Sequence, residues 1–394
     1  MQLVLEQKDI YRRYLSVHNL CRNDPSATIR SLVDTIGMRT PVAGALEVSL
    51  AARMACIDPQ QVLALCDTHS LMRTIGIRGS ILAIAVDSWS VCNASLAPVG
   101  EEESRYSLRG AGSLLLPLAM DIGTLLHLAT DLSLDTLEGK SLTKQELGKT
   151  LADRALERLP PSKREVWSWP SPIFDGQTLG ESLMRFLLPL VCLAVPIELG
   201  QFPTDTGFRY TLAPFVDKAT VGSPGALASR YIHAYGPTDV DEFAVWAGIS
   251  PMHAKRLWDS QPLDTLVAVR SEGHEGWMLQ RDSHDMSTLP PCDGVRLLGP
   301  YDPLLAIPRR HLLVHGKAQY KYFFRSAGSP GMVLYDGTVV AGWSYRRRGG
   351  TFSLVVEDIG EALGRIATEE IESEAAHVAE ALGLVFDGFS IARH

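Results

Sequence analysis

The sequence predicts a mainly α, α+β fold in which tandem winged-helix (helix-turn-helix) domains are followed by a small antiparallel β-barrel-like domain. Two observations predict it. A pattern of helices, a turn and two short strands occurs three times, and after Pro290-Pro291 the texture changes to β-type runs separated by Asp-Gly and Gly-Gly pairs.

The third copy is the clearest. Residues 230–237 read as a helix stopped by Gly236 and Pro237, and residues 238–241 start a short helix that Gly248 ends. Ser250 caps a further helix at 253–258, with Pro251 at its first position, where a missing N–H costs nothing. Residues 267–270 and 276–279 pair as a hairpin. Three helices and a hairpin make a winged helix whose last helix is the natural groove reader. In the second copy, Thr143 and Glu146 have capping-box spacing ahead of a helix reaching about residue 156. Another apolar helix covers 179–192, and 195–199 and 208–212 read as strands around a Pro/Asp/Gly loop.

The first copy is looser. It has helices near 9–20, 28–36 and 42–55, an Asp58-Pro59 start for 60–66, and a hairpin of 72–75 and 81–84 around residues 76–79. In the C-terminal part, 295–298, 332–335, 339–341, 342–345 and 352–357 are strand-like, with turns at Asp336-Gly337 and Gly349-Gly350. Residues 358–383 return to helix with an acidic face. The expected domains are 1–95, 96–218, 219–288 and 289–394.

Composition excludes several classes. The chain has 394 residues, 46% hydrophobic and 21% charged, which is ordinary for a globular protein and rules out an extended disordered chain. Its longest uncharged apolar stretch, 186–197, is broken by Pro189 and Pro196 and is too short to span a bilayer. Charges among the first dozen residues leave no secretory signal to read. Six cysteines, at 21, 56, 66, 92, 192 and 292, have no C-x-x-C spacing; they speak against a zinc cage and a disulfide framework and fit a reducing cytoplasm. The eleven histidines show no H-x-x-x-H or H-E-x-x-H spacing, and no phosphate-binding glycine loop occurs. No metal and no cofactor are expected. The net charge of −8 does not favour nucleic acid, but residues 300–350 hold eight Lys and Arg against two acids, whereas 351–394 hold two against nine.

Several strings, in this order, resemble the winged-helix DNA glycosylase superfamily of AlkZ-like and YcaQ-like proteins. They are Gly37-Met38-Arg39-Thr40-Pro41 with Arg53 twelve residues on, Met72-Arg73 with Ile77-Arg78-Gly79-Ser80, and Arg230-Tyr231 through Tyr235-Gly236-Pro237 to Trp246-Ala247-Gly248. Gly299-Pro300-Tyr301-Asp302-Pro303 and Asp336-Gly337 to Gly342-Trp343 complete the set. The resemblance covers nearly the whole chain. It implies tandem winged helices and a β domain around a concave DNA channel, and removal of N-alkylated purines without a metal. It also implies DNA repair, or self-resistance in producers of DNA-damaging compounds. An N-alkylated purine is already cationic and leaves readily, so such an enzyme needs to stabilise oxocarbenium-like charge and place a water. The family does so with a Gln-x-Gln or Gln-x-Asp motif, whose oxygens accept hydrogen bonds from that water.

Here the positions matching that motif are Arg39 and Pro41, with Thr40 between them. Arginine has only donors and stays protonated, and proline has no polar side-chain atom. Leu82 stands where such strings often carry His. Arg39 could bind phosphate, contact an abasic-like sugar or pair internally; Asp34 and Glu47 are the nearest carboxylates that could replace the base. Arg73 and Arg78, on the first wing, are candidate DNA contacts, as are Arg346, Arg347 and Arg348 at a hairpin tip, suited to phosphates or a minor groove. Asp302 is expected to organise a turn or pair with Arg309 or Arg310, and Trp167 and Trp169 to stack on a base or pack a loop.

The leading reading is a cytoplasmic, monomeric DNA-binding protein that recognises or excises alkylated or adducted bases. The alternative is the same scaffold turned to a small molecule, in resistance or biosynthesis. A transcription regulator fits less well, because palindrome readers are usually symmetric dimers.

Overall fold

The computed structural model describes residues 2–393 apart from 23, 201–206, 215–224, 263–264, 285, 287–288, 326 and 360–362. The Pro/Asp/Gly loop of the second copy and the expected boundary at 218/219 lie outside the described residues. The fold is mainly helical α+β. It divides into two units, each drawn from separate stretches: Met1–Ser70, Ala228–Glu242 and Gln261–His394 in one, Leu71–Leu227 and Phe243–Ser260 in the other.

In the second unit, helices Ile122–Leu137, Lys144–Arg158 and Leu179–Ala194 pack on one another. The expected capping box is present. Thr143 Oγ1 accepts from the Glu146 N–H at 3.2 Å, and a Glu146 carboxylate oxygen accepts from the Thr143 N–H at 2.8 Å. Thr178 and Glu181 repeat the device at the next long helix. Arg209–Leu212 is the middle strand between Leu142–Thr143 and Ile197–Leu199. Strands Leu71–Ile75 and Ile81–Ala85 form the expected hairpin, turning at Arg78 (φ 52°) and Gly79 (φ 63°). Trp167 is buried; its indole N–H donates to the Ala152 carbonyl at 3.0 Å, and its ring lies where a Cβ on Gly180 would come within 2.2 Å. This tryptophan packs a loop onto the body.

In the first unit, helices Gln7–Val17, Ile29–Asp34, Ala45–Ala51 and Pro59–Asp67 stand near the expected places. The helix expected over 42–55 is shorter because Gly44 enters it at φ +83°, a left-handed conformation that ends regular backbone on its N-terminal side. Leu3–Val4, not anticipated, adds a parallel strand to the hairpin of Leu266–Ser271 and His274–Leu279.

The C-terminal sheet has five strands in chain order: Val295–Leu298, Gly331–Tyr335, Thr338–Arg348, Thr351–Asp358 and Val385–Arg393. Two expectations are corrected here. The sheet is open: its first and last strands are edges and do not pair, whereas a barrel needs that closure. Nor is it wholly antiparallel, because the last strand runs parallel to its neighbour after a crossover through helix Thr368–Ala381. Asp336 (φ 47°) and Gly337 (φ 77°) make the expected tight turn. A third correction concerns cysteine. Cys21 and Cys292 form a disulfide across 271 residues, a pairing that no local spacing announces.

His18 is buried beside the Tyr235 ring (centroids 5.2 Å apart), and burial, reinforced by the nearby Arg53 cation, holds its pKa well below the usual histidine value. The folded state therefore refuses a proton that the unfolded chain accepts below about pH 6.5. Stability from this group is present above that pH and falls as pH drops through it, by at most about 1.4 kcal/mol per pH unit. Urea unfolding at pH 7.5 and 5.5 should show the loss, and H18N should flatten the dependence.

Candidate functional site

The site begins with a buried ion pair. Both Nη atoms of Arg53 donate to Asp302, at 2.7 and 2.9 Å, and the two side chains are 2% and 0% exposed. Such a pair repays its desolvation only when the remaining polar atoms are also satisfied. Here they are: Arg53 also donates to the Ser49 carbonyl at 2.7 Å, and Asp302 accepts from the Leu304 N–H at 2.9 Å. The partner of Asp302 is thus Arg53, and neither Arg309 nor Arg310 as expected; Arg309 faces Glu242 at 3.4 Å. The pair bolts the end of helix Ala45–Ala51 to the turn that carries Tyr301. Gly299 lets the turn come that close, since a Cβ there would lie 3.1 Å from Val48.

These two elements and the C-terminal sheet enclose a cavity of about 210 Å³. Its walls are the loop after Pro41 (Val42 to Ala45), Val48, Pro300, Tyr301, Trp343 and Tyr345. Trp343 is fixed by a 2.8 Å hydrogen bond from its indole N–H to the Leu298 carbonyl, over Gly331, where any Cβ would collide with the ring at 2.3 Å. Tyr345 is 38% exposed and stacks on Phe352, with centroids 5.0 Å apart and planes at 22°. Trp343 and Tyr345 are binding-site candidates that the sequence reading did not assign. The available signal was period-two alternation: Trp343, Tyr345 and Arg347 fall on one face of a strand.

Arg39 stands at this cavity. Its guanidinium carbon lies 5.5 Å from the centre of the Tyr301 ring. Its Nε is buried without a hydrogen-bond partner among the described residues, and burial lowers its pKa, with Tyr301 the one charge partner acting on it. Thr40 is only 2% exposed, while Arg39 and Pro41 are half-buried, as alternation along an extended segment requires. Positions 39 and 41 therefore bring a cation and an inert ring, and no acceptor for a water.

The hairpin of Thr338–Arg348 and Thr351–Asp358 carries Arg346, Arg347 and Arg348 fully into solvent, paired with Ser353, Phe352 and Thr351. Lys317, Lys321 and Arg325 are exposed in the same unit. Arg78 is exposed at its hairpin tip, with its stem against Gly248, but Arg73 is 7% exposed inside its strand. Asp34 is held by Arg230 at 3.1 Å. Glu47 is half-buried in the first turn of its helix and does not line the cavity, and Trp169 is 47% exposed. Elsewhere, Asp239, Glu242 and His274 bring ligand-type atoms within 4.8 Å of one another, a convergence that their sequence spacing hides. Arg309 already places a cation beside Glu242 there.

An aromatic cavity at the loop after residues 39–41, with an arginine-tipped hairpin on the same sheet, suits a protein that receives a planar group from a polyanion. The profile of the DNA glycosylase AlkZ-like family matches residues 33–381, and the chain belongs to that family. It is 26% identical over 377 residues to the interstrand DNA cross-link repair glycosylase of Streptomyces sahachiroi, covering 92% of each chain. The solved structure of Streptomyces sahachiroi DNA glycosylase AlkZ has the same fold, with a TM-score of 0.73, 19% identity and full coverage of both chains.

Removing one member of the Arg53–Asp302 pair leaves a buried charge unpaired. D302N should lower unfolding free energy by about 3–5 kcal/mol, whereas R53M/D302L should cost markedly less. Chemical denaturation of the two variants checks both; equal losses would refute the pair's assigned role.

Proposed function

We propose that the chain is a DNA-repair protein that binds duplex DNA carrying an alkylated or adducted base. That base is received in the aromatic cavity while the Arg346, Arg347 and Arg348 hairpin holds backbone phosphates. The observation that supports this best is the wall composition: Tyr301, Trp343 and Tyr345 surround a cavity at the family's motif position. Extruding a base costs a few kcal/mol, least for a damaged one. Stacking on aromatic side chains returns about 1–3 kcal/mol per base, which is enough to offset it.

On this reading the three helix-and-hairpin groups are winged helices, in the segments 1–95, 96–218 and 219–288, ahead of the 289–394 β domain. Arg78 and the hairpin arginines position the backbone, whereas Arg73 is too buried to do so directly. The chain acts as a monomer in the cytoplasm, where its DNA substrate lies. With Arg39 and Pro41 in the motif, recognition is retained and excision lacks the usual acceptors for a water. The cavity, about 210 Å³, is below the roughly 300 Å³ typical of pockets for drug-sized molecules, so a nucleobase suits it better than a bulky natural product.

Fluorescence anisotropy with intact and adducted duplexes tests the reading. Affinity should fall steeply with salt. In R346A/R347A/R348A the slope of log K against log[salt] should shrink by about 0.9 for each phosphate no longer neutralised, up to roughly 3. No binding at low salt to either duplex would sink it.

A further inference from the structure

Arg39 is a cation with no counter-ion among the described residues, in a place where a cation is expensive. In the same unit, Arg13, Arg22, Arg53 and Arg309 each face a carboxylate at 2.7 to 3.4 Å. Arg39, half-buried, faces the Tyr301 ring instead, and its buried Nε has no acceptor. A desolvated charge without a partner is costly, so the geometry favours an incoming anion and disfavours an incoming cation.

We propose that Arg39 sets the charge specificity of the cavity: its guanidinium repels bases that carry a fixed positive charge and takes the phosphate of a nucleotide whose uncharged, adducted base enters. This rests on the DNA-binding reading above. An aromatic cavity left to itself attracts cations, because ring faces are negative. Arg39 reverses that preference by occupying the Tyr301 ring and adding a permanent charge. Like charges about 6 Å apart at an effective dielectric near 20 repel enough to cut affinity on the order of a hundredfold. Solvent screening at a half-open site brings the expectation to about tenfold. The arginine is thus a specificity-determining residue.

The test compares two duplexes of one sequence. One carries 7-methylguanine, which is cationic; the other carries 7-methyl-7-deazaguanine, its uncharged near-isostere. The wild-type protein should bind the uncharged duplex about tenfold more tightly. R39Q and R39M should lose or invert that preference and reduce the salt slope by about one, while R39K keeps the preference. Thermal melting of each variant reports folding, and a misfolded R39M leaves R39Q to decide. Equal wild-type binding of both duplexes, or a preference unchanged in R39Q, overturns the proposal and leaves the DNA-binding reading standing. Binding to neither duplex overturns both.

Discussion

The site depends on the guanidinium–carboxylate pair of Arg53 and Asp302. Two charges removed from water are a liability unless every remaining donor and acceptor is used. This pair meets that condition through the Ser49 carbonyl and the Leu304 N–H. The consequence is geometric. A helix whose N-terminal loop forms one wall of the cavity is locked to the turn that supplies Tyr301. Behind that helix, His377 Nε2 lies 2.9 Å from the Met54 carbonyl, and Arg22 joins the Ala51 carbonyl to Glu374. The wall is held from both sides.

The C-terminal sheet supplies the other wall by a different physical means. Trp343 is positioned by an indole hydrogen bond and by the missing side chain at Gly331, and Tyr345 by its stack on Phe352. Neither contact is ionic, so this wall is indifferent to salt, whereas the arginines at the tip of the same hairpin are not. One strand therefore carries an apolar receiving surface at its middle and an electrostatic one at its end. Its alternation puts Arg347 in line with Trp343 and Tyr345.

What the sequence revealed was local. The Thr143–Glu146 capping box, the Asp336-Gly337 turn, the Ser250 cap and the exposed arginine tip each involve residues within a few positions of one another, where spacing is a direct constraint. What it concealed was long-range. Arg53 and Asp302 are 249 residues apart, and Cys21 and Cys292 are 271 apart. Barrel closure is of the same kind. Five strand-like runs are legible, but whether the first meets the last depends on the crossover helix that feeds a parallel edge strand, and a run of β-type residues does not encode that choice. The motif residues were legible as a departure from the family, but their surroundings were not.

That departure is easier to understand once binding and hydrolysis are separated. The aromatic walls, the ion-pair bolt and the arginine hairpin draw nothing from the side chains at 39 and 41. Replacing acceptors there by a guanidinium and a pyrrolidine ring therefore leaves the receiving surface intact while removing the atoms that would orient a water. Thr40 cannot compensate: it is 2% exposed, on the buried side of the alternation. Retaining a half-buried arginine without a carboxylate is a standing cost in the free protein. A cost of that sort is offset only when something negative arrives, which places the role of Arg39 in the complex and not in the fold.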